Sequence, residues 1–187
     1  MFVPAGTGSA VWDNPHASQM IQRFMPAGHG HTPVLGIVHL GGLRPTPSVL
    51  RDVVIAVGED ARAGRYGEFT FVVSSDDDAT RTVITDIANA QDVAMFVTSS
   101  SMSFKNAEPV GGITARERET LDLVLNAGGT VTATEFAQKM GIEQTTAGNR
   151  LVALHRKGYL QRVERPHPGG DLFVDPRSIR FDEAVPD

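Results

Sequence analysis

The chain has 187 residues, of which 41% are hydrophobic and 21% are charged, as in an average soluble globular protein. This length allows one domain of ordinary size or two small ones. Because the chain contains no cysteine, disulfides, thiolate metal sites and cysteine nucleophiles are excluded. No apolar run approaches the roughly 20 residues that span a bilayer. We therefore expect a cytoplasmic protein that does not enter a membrane.

The charge of the chain is negative on average but unevenly distributed. The net charge of −5 disfavours a protein that coats nucleic acid indiscriminately, because such domains are usually basic. Between Lys139 and His167, however, there are six basic residues and only two acidic ones. This local excess of positive charge indicates where a polyanion would bind.

The N-terminal half divides into an arm and a small domain. Residues 1–31 are rich in Gly, Ala, Pro and Ser and follow no helix or strand period, so we expect a flexible arm that orders on a protein partner. In residues 32–104, three apolar, β-branched runs alternate with two amphipathic stretches. This order predicts a β-α-β-α-β domain with parallel strands, used for dimerisation or for sensing a signal. Because roughly 70 residues are few for a sheet covered on both faces, self-association through the sheet or its helices is expected.

A second domain follows a predicted linker. Residues 105–112 have the turn and breaker chemistry of a linker, which leaves 113–187 as a separate unit. Two Thr-x-x-Glu capping boxes, beginning at Thr114 and Thr132, open its first two helices. A third helix is predicted over Gln144 to Lys157, and two short strands joined by a Pro- and Gly-rich turn follow it. Three helices and a hairpin in this order predict a winged helix, so the fold class is α/β followed by α+β.

The third helix has the features of a DNA-recognition helix. It comes after a short helix that stops at Gly141 and a tight turn, which is the order of a helix-turn-helix. Its apolar stripe of Ala147, Leu151 and Leu154 leaves hydroxyl and amide side chains on the other faces. Such short polar side chains suit base edges, because the first turn of a recognition helix enters the major groove most deeply.

The segment GIEQTTAGNRLVALHRKGYLQR, residues 141–162, resembles the recognition helix and first wing strand of bacterial winged-helix transcriptional regulators of the MarR/ArsR type. The resemblance extends over about residues 112–176, whereas residues 32–104 resemble no family that we recognise. It implies a DNA-binding transcriptional regulator, and the two-fold symmetry of such readers predicts a homodimer on a pseudopalindromic site, without a cofactor. The residues predicted to contact double-stranded DNA are polar positions of the third helix and the wing: Gln144, Thr145, Thr146, Asn149, Arg150, Arg156, Lys157, Arg162, Arg165 and His167.

Other functions have weaker support. An adaptor is the second hypothesis, because winged helices also bind proteins and the second half of the chain is nearly neutral. The aspartates at 76–78 follow a strand, where a metal or phosphate-linked site would lie, but the favoured interpretation is that they cap the next helix. His29 and His31 are spaced to chelate a metal but lack a carboxylate partner, so no metal site is predicted. Without a nucleotide-binding or nucleophile motif, we expect no enzymatic activity.

Overall fold

The computed structural model describes residues 34–41, 44–62, 69–99, 104–163 and 170–178. The N-terminal elements are, in order, β1 (Val34–His39), α1 (Pro47–Arg62), β2 (Phe69–Ser74), α2 (Asp78–Gln91), β3 (Met95–Thr98) and β4 (Glu108–Val110). The C-terminal elements are α3 (Ala115–Asn126), β5 (Thr130–Thr132), α4 (Ala133–Met140), α5 (Gln144–Lys157), β6 (Gln161–Val163), β7 (Leu172–Val174) and a 3-10 turn (Pro176–Ser178). The predicted arm at 1–31 lies outside the described residues.

The N-terminal strands form one sheet in the order β1-β2-β3-β4, in which the first three are parallel and β4 is antiparallel. Right-handed crossovers that advance in one direction across a sheet place their helices on the same face. Leu50 of α1 and Ile84 of α2 accordingly belong to one buried cluster with Phe71 and Val73 of β2. Both helices therefore cover a single face of the sheet.

The winged helix covers the other face. Successive residues of a strand point to opposite faces, and Val72 of β2 and Phe96 of β3 belong to a second buried cluster together with Leu151 and Tyr159 of the C-terminal half. The ring centroids of Phe96 and Tyr159 lie 6.0 Å apart in an edge-to-face arrangement. In β2 and β3, side chains on both faces of the sheet are thus buried within one chain.

Hydrogen bonds join the same two halves. The buried Tyr159 hydroxyl donates to the carbonyl oxygens of Val110, at 2.7 Å, and Gly111, at 2.8 Å. Burial raises the pKa of this hydroxyl well above its usual value, so it stays a donor. The Thr70 hydroxyl of β2 donates to the Gly158 carbonyl at 3.1 Å. Gly111 is required here, because its φ is +95° and a Cβ would lie 1.8 Å from the carbonyl oxygen of Val93.

The structure differs from the predicted linker at 105–112. Residues 108–110 form β4, which pairs with β3 through Met95 and Val110, and Ala107 is buried. Pro109 lacks an N–H, so it is accommodated on this edge strand. Strand β5 was also not predicted, because three residues are too few to display a period. The boundary between two domains remains a prediction, but the segment assigned to it is part of the sheet.

A buried ion pair lies where the C-terminal turn meets the sheet. Arg177 Nη2 lies 2.8 Å from an Asp175 carboxylate oxygen, and Arg177 Nη1 lies 3.2 Å from Asp122 Oδ1 on α3. The Arg177 guanidinium also sits over the Phe96 ring, 5.8 Å from its centroid. Removing either Arg177 or Asp175 would leave an uncompensated buried charge, whereas Asp122 is half exposed.

Candidate nucleic-acid interface

The helix-turn-helix is formed by α4 and α5. The capping box at the start of α4 is present: Glu135 N–H donates to Thr132 Oγ1 at 3.2 Å, and Thr132 N–H donates to Glu135 Oε2 at 2.8 Å. Helix α4 ends at Gly141, whose φ of +63° is the left-handed conformation that terminates helices. Two residues later Glu143 is the N-cap of α5, without a side-chain hydrogen bond to the helix.

The two ends of α5 have different surroundings. At the start, Gln144 Nε2 donates to Thr134 Oγ1 of α4 at 2.9 Å. At the end, the Gly158 carbonyl accepts the hydrogen bond from Thr70 in the sheet. Because an α-helix rises 1.5 Å per residue, the 14 residues of α5 separate these ends by about 20 Å. The polar first turn therefore packs on α4, about 20 Å from the sheet contact of the last turn.

The exposed side of α5 carries polar side chains at helical spacing. Ala147, Leu151 and Leu154 are buried, as predicted. Thr145, Asn149 and Arg156 are exposed and, at positions i, i+4 and i+11, lie on the side opposite to the buried residues. We refer to these three residues as the exposed stripe.

Two further predicted residues of α5 lie on its flank. Thr146 and Arg150 are half-buried, four residues apart on one side of the exposed stripe. The Nε of Arg150 is buried without a hydrogen-bond partner within the described part of the chain. Its stem is therefore packed against the domain, which leaves only the tip of its guanidinium for a contact outside.

Lys157 forms an ion pair with another helix of the domain. Its ammonium lies 2.9 Å from Glu117 Oε1 on α3 and donates to the Gly112 carbonyl at 3.3 Å. Burial disfavours the ionised carboxylate of Glu117, but hydrogen bonds from Thr114 and Lys157 outweigh that effect and lower its pKa. The structure therefore places Lys157 in an ion pair at the sheet end of α5, about 20 Å from the first turn.

We expect Glu117→Gln to lower the free energy of unfolding at pH 7 by no more than about 1 kcal/mol, because the amide preserves the cap but loses the ion pair. A carboxylate whose folded-state pKa is lowered stabilises the fold above its ordinary pKa of 4.5, and this contribution disappears as the pH falls through the folded-state value. Urea unfolding at pH 7 and pH 3 measures both effects, with Glu119→Gln on the exposed side of α3 as control. An equal difference from wild type at both pH values would contradict the expectation.

An ion pair joins strand β6 of the wing to Asp171, the residue directly before β7. Arg162 Nε on β6 donates to Asp171 Oδ2 at 2.7 Å, and a second guanidinium nitrogen contacts the same oxygen. This contact partly neutralises Arg162 and orients the hairpin. The predicted wing residues Arg165 and His167 lie outside the described residues.

Three partners of the predicted site residues were not anticipated from the sequence. Thr134 holds Gln144, Glu117 neutralises Lys157, and Asp171 neutralises Arg162. Thr134 and Glu117 belong to Thr-x-x-Glu segments that the sequence does reveal as caps. Their contacts with α5 depend on how the helices pack, which no local pattern specifies.

Among the aspartates at 76–78, Asp77 is the N-cap of α2. Asp77 caps α2, accepting hydrogen bonds from the Thr80 hydroxyl at 2.8 Å and the Thr80 N–H at 2.9 Å, and these bonds lower its pKa. Arg44 Nε lies 3.1 Å from the other oxygen of the same carboxylate. Within the described ranges, no three His, Asp or Glu side chains are grouped so that they could hold a metal ion. No helix in these ranges is long and apolar enough to cross a membrane.

Taken together, a helix-turn-helix followed by a paired β-hairpin defines a winged helix-turn-helix domain. A family model described as MarR family matches residues 111–169, which include α3, α4, α5 and the first wing strand. This match supports a MarR-family winged helix in the C-terminal half of the chain, so the resemblance inferred from the sequence is confirmed over these residues. No curated protein and no solved structure shows significant similarity to the chain.

Proposed function

We propose that the protein is a transcriptional regulator that inserts the first turns of α5 into the major groove of double-stranded DNA. The observation that carries this proposal is the position of the exposed stripe. Its polar residues Thr145 and Asn149 are exposed on the N-terminal half of α5, while the other end of the helix is bonded to the sheet. A helix held at both ends, with exposed polar side chains in its first turns, suits base readout.

The ten predicted residues divide into different roles in this proposal. Thr145 and Asn149 face base edges, and Thr146 and Arg150 flank them. Gln144, whose amide donates to Thr134, stays a predicted DNA contact at the start of the helix. Arg156 continues the exposed stripe about 10 Å beyond Asn149, where a side chain along the groove meets phosphate. Arg165 and His167 stay predicted phosphate or minor-groove contacts of the wing tip. Arg162 positions the wing through Asp171, and Lys157 stabilises the domain rather than contacting DNA.

The ion pairs of Lys157 and Arg162 limit the number of cations available for phosphate. Each phosphate contact contributes about 0.9 to the slope of log affinity against log salt for duplex DNA. We therefore expect a shallow salt dependence and an affinity that relies on base contacts. A protein-binding adaptor is the alternative favoured by the same scarcity of free positive charge.

Selection from a randomised DNA library by the purified full-length protein, at about 150 mM salt, tests the proposal. We expect enrichment of a two-fold symmetric motif whose half-sites are centred about 10 base pairs apart, as for a dimeric reader. Enrichment of no sequence by a protein shown to be folded would overturn DNA reading. In that case early elution from a heparin column would support the adaptor.

A further inference from the structure

Strand β1 is an edge strand of the N-terminal sheet and lacks the features that usually block pairing with another strand. It pairs with β2 along its full length, from Val34 opposite Phe69 to His39 opposite Ser74. Within the described residues no strand pairs with its other side. Its six residues, VLGIVH, contain no charged residue and no proline. An edge with these properties is a template for pairing with another strand.

The opposite edge of the same sheet is protected. Strand β4 has only three residues, and these include Pro109 and the exposed Glu108. Proline cannot donate to a strand, and a charge on an edge opposes pairing, so β4 carries two of the features by which proteins block edge-to-edge association. The contrast identifies β1 as the edge at which the sheet can be extended.

One hydrogen bond shows which backbone N–H and C=O groups of β1 face β2 and which face away from it. Leu40 N–H, directly after β1, donates to the Ser74 carbonyl of β2 at 2.8 Å. Because successive residues of a strand direct their N–H and C=O groups to opposite sides, Val38 and Gly36 also face β2. Leu35, Ile37 and His39 therefore direct their backbone groups away from β2.

We propose that β1 pairs antiparallel with β1 of a second copy of this chain, about a two-fold axis centred on Ile37. In this register Ile37 pairs with its own copy and Leu35 pairs with His39 of the other chain, so each outward-directed residue finds a partner. Four strands from each protein then form one continuous sheet.

The inference that the partner strand belongs to a second copy of this chain rests on the proposed function. The two-fold axis of an antiparallel strand pair is perpendicular to the sheet, so it keeps each face of the sheet on the same side. The face that carries Val72 and Phe96 is covered by the winged helix in each copy. Both winged helices consequently lie on one side of the joined sheet, as binding to two half-sites on one DNA duplex requires.

Cysteine cross-linking of the full-length protein tests the arrangement, since the natural chain contains no cysteine. In the proposed dimer the Cα atoms of Ile37 and its copy are about 5.5 Å apart, which is within disulfide reach. We expect Ile37→Cys to form a covalent dimer under mild oxidation. Glu108→Cys, on the opposite edge strand, is the matched control, because seven strand spacings separate the two copies by about 34 Å.

A second variant tests the same edge without cross-linking. Ile37→Pro removes an outward-directed N–H and leaves the β1–β2 hydrogen bonds intact, so we expect a folded monomer in analytical ultracentrifugation. Val38→Pro removes an N–H directed at β2 and is expected to destabilise the fold itself. Circular dichroism during thermal unfolding reports whether each variant is folded.

The outcomes separate the interface from the proposed function. A dimeric wild type that cross-links at 37 and not at 108 supports the interface, even if it selects no DNA. A monomeric wild type overturns the interface, as does a dimer that fails to cross-link at 37 or cross-links equally at 108. A monomer that selects a single half-site would overturn the interface alone and leave the DNA-reading role in place.

Discussion

Asn149→Ala is expected to weaken binding to the selected DNA motif by about 5- to 150-fold per half-site and to relax base preference at one position of each half-site. A bidentate contact between an asparagine amide and adenine contributes about 1–3 kcal/mol of discrimination, and alanine cannot replace it. The free energy of unfolding should be unchanged or slightly increased, because Asn149 is exposed and alanine is the better helix former. Binding titrations against the selected motif and a single-base variant measure both effects.

Two further variants are compared with Asn149→Ala in the same binding titrations. Asn126→Ala makes the same substitution at the exposed end of α3 and should leave DNA affinity unchanged. Arg156→Ala should weaken binding to all sequences alike and reduce the salt dependence by about one phosphate contact. Unchanged affinity and unchanged base preference in Asn149→Ala would show that the exposed stripe is not the reading surface.

Phe96→Ala is expected to lower the free energy of unfolding by about 3–5 kcal/mol, the usual cost of truncating a buried phenylalanine. Phe96 is fully buried, packs against Tyr159 and lies under the Arg177 guanidinium. The truncation therefore opens a cavity at the junction of the sheet with the winged helix. Because one core serves both halves, we expect the winged helix to lose stability together with the sheet.

Urea unfolding combined with amide hydrogen exchange of α5 and β2 tests this coupling. We expect protection to fall in both elements of Phe96→Ala by similar amounts. Met95→Ala is a matched control, since Met95 is the adjacent buried residue of β3 and faces the helices instead. Met95→Ala should lower the free energy of unfolding without changing the near-ultraviolet circular dichroism of Tyr159. Full protection of α5 in Phe96→Ala would mean that the two halves unfold independently.

The C-terminal half shows how far local chemistry specifies structure. The sequence predicts α5 with its observed ends, Gln144 and Lys157, because Gly141 ends the preceding helix and Gly158 ends α5, both in the left-handed conformation. Both Thr-x-x-Glu boxes are present where they were predicted. The polar start of α5 and its buried stripe follow from the 3.6-residue period alone. Each of these features depends on residues close together in the chain, so a single sequence reveals them.

A single sequence does not reveal contacts between residues that are far apart in the chain. Val72 and Phe96 alternate with residues that face the helices, so the strand pattern indicates two buried faces but not what covers the second one. The ion pair of Lys157 joins residues 40 positions apart, and its partner Glu117 is visible in the sequence only as a cap. Charge and hydrophobicity are properties of single residues, whereas the pairing of a charge and the covering of a face depend on how the helices and strands pack. For that reason the sequence predicts the recognition helix, and only the folded chain shows that Lys157 forms an ion pair with Glu117 and that Thr145, Asn149 and Arg156 are exposed.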